Sequence, residues 1–201
     1  MVKKHTKNRI EIVVFLGNPG KQYEKTRHNA AWLLLNYFTC NEPPNWQRKF
    51  KGEYAVCTIG QKAVYLLKPL TFMNKSGDSI VAITRFFKIP VSRCLLVHDD
   101  VELDYGWIAL RRGGGLAGHN GLRSAEKIFG SRDFFRLRLG VGRPDHGAVS
   151  SHVLGRFADR ELSHLGDILK PSADVLTAAI ISDDADAVAK KYATVSCKKS
   201  Q

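Results

Sequence analysis

The run from Leu16 to Asn29 reads L-G-N-P-G-K-Q-Y-E-K-T-R-H-N and carries the first side chains that can do chemistry, the amide of Asn18 and the imidazole of His28. Gly17, Pro19 and Gly20 are turn formers, so Asn18 is aimed by a rigid bend. Thr26 reads as the N-cap of a following helix. That sets His28 in the first turn, beside unpaired N–H groups and the positive end of the helix dipole. The position favours a neutral imidazole, which can take a proton near neutral pH.

Three more stretches punctuate the chain in the same way: Thr71-Phe72-Met73-Asn74-Lys75-Ser76-Gly77, His98-Asp99-Asp100, and G-G-G-L-A-G-H-N-G-L over residues 113–122. Asn18, Asn74, Asp99 and Asn120 each fall just beyond the carboxyl end of a predicted strand, where the loops of an α/β sheet converge on a ligand crevice. A carboxylate at Asp99 can bond the imidazole of His28, fix its tautomer and support the imidazolium as it forms. The three carboxamides donate and accept hydrogen bonds without adding charge, which suits a substrate rich in peptide groups.

The chain holds no G-x-S-x-G and no cysteine at a helix start, so water is the expected nucleophile. Asp99, Asp100, Glu102 and Asp104 are not followed by a second cluster at ligand spacing, and no metal is expected. The glycine-rich stretch also fits G-x-G-x-x-G. It comes late, and no acidic residue ends the following strand, so a dinucleotide fingerprint is discounted.

Strand patterns that must position these residues lie at Ile10–Leu16, Tyr54–Ile59, Ala63–Pro69, Cys94–His98, Trp107–Arg111 and Phe135–Val141. Helical patterns cover Asn29–Phe38, Lys75–Phe87, Asn120–Phe129, Ala158–Ser182 and Ala185–Ala193, with Pro171 interrupting the long one. The alternation predicts an α/β domain: a mixed, largely parallel sheet with helices on both faces and a hairpin at Gly60-Gln61. All 201 residues fit one domain, with tails at 1–9 and 195–201.

Lysine and arginine number 31 against 19 acidic residues, a net +12. Residues 158–187 hold seven acids against Arg160 and Lys170, a net −5, which leaves +17 on the rest. Such a one-sided surplus favours a polyanionic partner. Arg111, Arg112, Arg123, Lys127, Arg136, Arg138 and Arg143 gather around the glycine-rich stretch as a phosphate-binding wall. No apolar run reaches the roughly 20 residues of a membrane helix and the start lacks a signal segment, so a cytoplasmic protein is expected. Cys40, Cys57, Cys94 and Cys197 are widely spaced, three of them among apolar neighbours as small core residues would be, and neither zinc nor a disulfide framework is suggested.

Together the four motifs resemble the bacterial-type peptidyl-tRNA hydrolase family, in its order and from Ile12 to about Phe157. The resemblance implies a monomeric α/β enzyme, without cofactor, metal or protein partner, that hydrolyses the ester joining a peptide to the 3′ ribose of tRNA. It implies His28 as catalytic base with Asp99 as its partner, Asn18, Asn74 and Asn120 holding peptide and water, and Tyr23 and Met73 lining the cleft. It further implies that Arg111 and Arg138 clamp the tRNA 5′-phosphate. Phe15, Ala31 and Ala117 stand where the family usually has glycine, and Asp100–Asp104 departs from its D-L-D-L-P run. Two other classes are a non-catalytic RNA-binding relative, opposed by the intact His28–Asp99 pair, and a nucleotide-binding oxidoreductase.

Overall fold

Ile12–Phe15 (β1) is apolar at every position and buried on both faces, as a central parallel strand must be. In the computed structural model, which describes residues 8–197, it sits near the middle of one sheet. The other strands are Gln47–Lys49 (β2), Gly52–Ile59 (β3), Lys62–Pro69 (β4), Cys94–Asp100 (β5), Trp107–Arg112 (β6), Phe135–Gly140 (β7) and Val195–Ser196 (β8). Their order is β2-β3-β4-β1-β5-β7-β6-β8. β4, β1, β5 and β7 are parallel, while both edges are antiparallel.

Alternate residues feed two cores. Val13, Phe15, Leu95, Val97 and Leu137 face a layer that includes Ala30–Leu34 (α1) and Leu165–Ile181 (α6). Ile12, Val14, Cys94 and Leu96 face Ser76–Phe86 (α2) and Asn120–Phe129 (α3). The chain is completed by Val149–Leu154 (α4), Asp159–Ser163 (α5) and Ala185–Lys191 (α7). This is the expected fold class, and the hairpin at Gly60-Gln61 joins β3 to β4.

Several local expectations change. The helix expected over Asn29–Phe38 is a 3-10 turn at Arg27–Asn29 followed by the short α1. Thr26 stands at the N-cap position of that turn as expected, but its side chain makes no capping hydrogen bond, and its hydroxyl donates to Tyr23 O at 2.8 Å instead. Pro171 lies inside α6, whose buried stripe on both sides of it outweighs one lost backbone bond; the break falls at His164. β2 consists of three exposed polar residues and gives no apolar pattern, and α4 follows a loop rich in glycine and proline.

Cys40 and Cys57 form a disulfide, against expectation. The loop after α1 folds back on β3 through Asn41 N to Thr58 O at 2.7 Å and a two-way amide clasp between Asn41 and Gly60. That brings the two Cα atoms to 5.5 Å across a separation of 17 residues. Residues 1–7 and 198–201 of the expected tails lie outside the described residues. Asn8 bonds Asp186 and accepts from Ala185 N, while Val195–Ser196 pairs with β6.

Candidate active site

Asn18 leaves β1 on a bend clamped by a second amide. Asn29 Oδ1 accepts from Asn18 N at 2.8 Å, and Asn29 Nδ2 donates to Asn18 O at 3.0 Å. The Asn18 side-chain oxygen in turn accepts from Met73 N at 2.8 Å, joining the first loop to the one that carries Asn74. Asn29 was not singled out from the sequence, although it closes the same T-R-H-N run.

His28 and Asp99 meet as expected, with Nδ1 and Oδ1 at 2.9 Å. The same oxygen lies 3.0 Å from His119 Nε2, a partner the sequence reading left without a role. His119 caps α3: its Nδ1 accepts from Gly121 N at 3.1 Å and Leu122 N at 3.3 Å. An imidazole whose Nδ1 accepts must carry its proton on Nε2, so His119 donates to Asp99. That assignment also takes the His28, Asp99 and His119 cluster away from metal binding, since Nδ1 is committed to the helix and Nε2 to a proton.

Asp99 is 2% exposed. Burial alone raises a carboxyl group's pKa, but His28 and His119 outweigh it and hold Asp99 well below the usual carboxylate range. A third ring, His98, stands 5.0 Å from His119, donates from Nδ1 to Asp99 O at 2.7 Å, and is pushed down to about 3 by burial with His119 adding to the effect. Two imidazoles therefore hold the carboxylate, and the third packs on His119 and bonds the Asp99 backbone.

Asn120 reaches the site by a longer path than expected. β6 runs antiparallel to β7, so the chain leaves it at the wrong end of the sheet, opposite Phe135. From there to Asp99 is four residues along β5, about 13 Å at ~3.3 Å per residue. The glycine-rich loop covers that distance. Arg136 holds its start by donating to Gly115 O at 2.6 Å and to Gly113 O. At its end Gly121 packs so close to Met73 that an added Cβ would lie 2.5 Å from Sδ. Ala117, one of the departures from the family pattern, sits at φ 47°, in the left-handed region.

A cleft of about 850 Å³ opens at this end of the sheet. Asn18, Tyr23, His28, Met73, Asn74, Asp99 and Asn120 all line it, with α4 forming one rim through Val149 and Leu154. Arg111 and Arg138 lie outside it. They share one face of β6 and β7, diagonal neighbours by register, since Ala109 opposes Arg138 and Arg111 opposes Arg136. Such diagonal neighbours lie about 7–8 Å apart, their Cβ atoms somewhat closer. Arg138 Nε donates to Asp100 Oδ2 at 2.6 Å, which steadies the side chain.

The profile of the family described as peptidyl-tRNA hydrolase matches residues 12–200. Among similar proteins, the peptidyl-tRNA hydrolase of Treponema pallidum is 42% identical over 184 residues, 89% of this chain and 91% of that protein. That of Neisseria meningitidis is 40% identical over 172 residues, covering 84% and 90%. The crystal structure of the Acinetobacter baumannii peptidyl-tRNA hydrolase superposes with a TM-score of 0.86 at 31% identity, over 96% of this chain and 98% of that one.

Proposed function

Because the chain belongs to the peptidyl-tRNA hydrolase family, we propose that it hydrolyses the ester between a peptide's terminal carboxyl and the 3′ ribose of tRNA. The observation that carries this reading is the His28–Asp99 pair at the floor of a cleft lined by three carboxamides. His28 Nδ1–H donates to Asp99, so Nε2 is the free lone pair. It takes a proton from a water molecule as that water's oxygen bonds the ester carbonyl carbon. Asp99, anionic through the working pH range, supports the imidazolium formed. When the tetrahedral intermediate collapses, the C–O bond to the ribose breaks, and His28 returns the proton to the 3′ oxygen. Carboxylate and tRNA leave, and no cofactor or metal takes part.

Asn18, Asn74 and Asn120 hold peptide groups and the attacking water by neutral hydrogen bonds, with Tyr23 and Met73 as apolar walls. Arg111 and Arg138 hold the tRNA 5′-phosphate, a contact suited to the guanidinium fork. The surplus of positive charge outside residues 158–187 favours the RNA. Among the described residues no helix is long and apolar enough to cross a membrane, and we place the reaction in the cytoplasm with the protein as a monomer. The test is to incubate the protein with peptidyl-tRNA and with aminoacyl-tRNA and measure release from each. Release of peptide in preference to the free amino acid supports the reading; no release of peptide overturns it.

A further inference from the structure

Beside the cleft lies a second, shallower depression of about 400 Å³, lined by Arg48, Lys49, Lys51, Gly52, Leu70 and Thr71. The two abut, since Thr71 belongs to one and Phe72 to the other. Leu70 N donates to Lys51 O at 3.0 Å, which ties the turn between β2 and β3 to the segment that goes on to present Phe72 and Asn74. Resting on the hydrolase reading above, we propose that this depression is a subsite for the peptide of the substrate and selects acidic side chains a few residues upstream of the ester.

The direction follows from the sheet order. The phosphate-binding arginines lie on β6 and β7, to one side of His28 and Asp99, while the depression lies at the ends of β2 and β3, on the other. With the tRNA body on the first side, a peptide leaving the ester runs toward the second, over exposed Phe72. From β5 to β3 is three strand spacings, about 14 Å, or about four residues of extended peptide.

The chemistry follows from the charges. Among the described residues, Arg48 and Lys49 make no ion pair, since Glu53, opposite Arg48 in the hairpin, is engaged by Lys68 at 3.3 Å, and Lys51 has only the solvent-exposed Asp78 at 3.2 Å. Lys49 lies over the rings of Phe50 and Phe86, at 5.0 and 4.3 Å, which orders its ammonium at the groove. The turn itself is unusual. Phe50 and Lys51 both adopt positive φ, 57° and 54°, where Asn-Gly is the low-energy choice. Strain retained at such a turn holds Lys51 at the rim while Phe50 packs against Tyr54, Phe86 and Phe87.

The probes are peptidyl-tRNAs that share one tRNA and one esterified residue and carry Asp, Asn or Lys at the fourth residue from the ester. For the wild type, kcat/KM is expected to be about fivefold or more higher for Asp than for Asn at low salt, converging as salt screens the charges. In Arg48→Gln/Lys49→Gln/Lys51→Gln the ratio falls to about one, and Lys51→Glu shifts the preference toward the Lys substrate. Lys51→Gly, which relieves the turn, raises the melting temperature while lowering the ratio. Equal rates for Asp and Asn in the wild type overturn the subsite while leaving the hydrolase reading intact. Failure to cleave any of the three overturns both. A triple variant that loses affinity for uncharged tRNA assigns the depression to RNA and overturns the peptide assignment.

Discussion

His119 Nε2 lies 3.0 Å from Asp99 Oδ1 while the other nitrogen of the same ring caps α3. One side chain thus couples the start of a helix, where Asn120 sits, to the carboxylate beneath His28. The cap fixes the tautomer, the tautomer makes His119 a donor, and the donor pins the oxygen that orients His28.

The two duties can be separated. His119→Asn keeps an oxygen able to cap the helix but is too short to reach Asp99. Loss of one hydrogen bond to a buried charge is worth about 1.5–3 kcal/mol, so kcat should fall roughly 10- to 100-fold with KM little changed. Thermal stability should drop by less than in His119→Ala, which also forfeits a cap worth ~1 kcal/mol. Unchanged kcat in His119→Asn would leave His119 as a cap alone.

Acid stability should report His98. In the unfolded chain this imidazole titrates near about 6.5, whereas in the folded protein burial holds it down to about 3. Between those values the unfolded chain binds a proton that the folded protein does not, so stability falls as pH drops through the window. The slope approaches about 1.4 kcal/mol per pH unit. His98→Asn keeps an N–H for Asp99 O and removes the titration. Urea midpoints between pH 6 and 4 should fall less steeply for this variant than for the wild type; parallel slopes would mean another group dominates.

Ala117 holds a left-handed backbone in the loop that delivers His119 and Asn120. A side chain there costs about 1–2 kcal/mol, partly offset because glycine makes the unfolded chain more flexible by roughly 0.5–1 kcal/mol. Ala117→Gly should therefore raise stability by up to ~1 kcal/mol with turnover preserved. A lower melting temperature would show that the Ala117 methyl makes contacts worth more than the strain.

Much of this was legible in the residues. Asn18, Asn74 and Asp99 could be placed at the cleft because each lies at or just beyond the carboxyl end of a parallel strand, whereas Asn120 arrives there only by way of the glycine-rich loop; Asn120–Phe129 could be bounded because Gly130, in a left-handed conformation, stops it. Other features were hidden for physical reasons. The role of His119 depends on which ring nitrogen faces the helix, and Asn29 acts through a clasp with a loop eleven residues away. The Cys40–Cys57 bond depends on a loop folding back by backbone hydrogen bonds, which leave no side-chain pattern. β2 is an exposed charged edge, so no apolar periodicity announces it.

The account turns on His28 as the base. The most direct measurement compares single-turnover hydrolysis of peptidyl-tRNA by the wild type and His28→Ala, with affinity for uncharged tRNA measured on both proteins. Removing a positioned base should slow hydrolysis by about 10²–10⁴, while tRNA affinity, which we propose rests on Arg111, Arg138 and the basic surface, stays unchanged. Hydrolysis by His28→Ala at a near-normal rate would contradict the assignment and move the proton transfer to another group in the cleft.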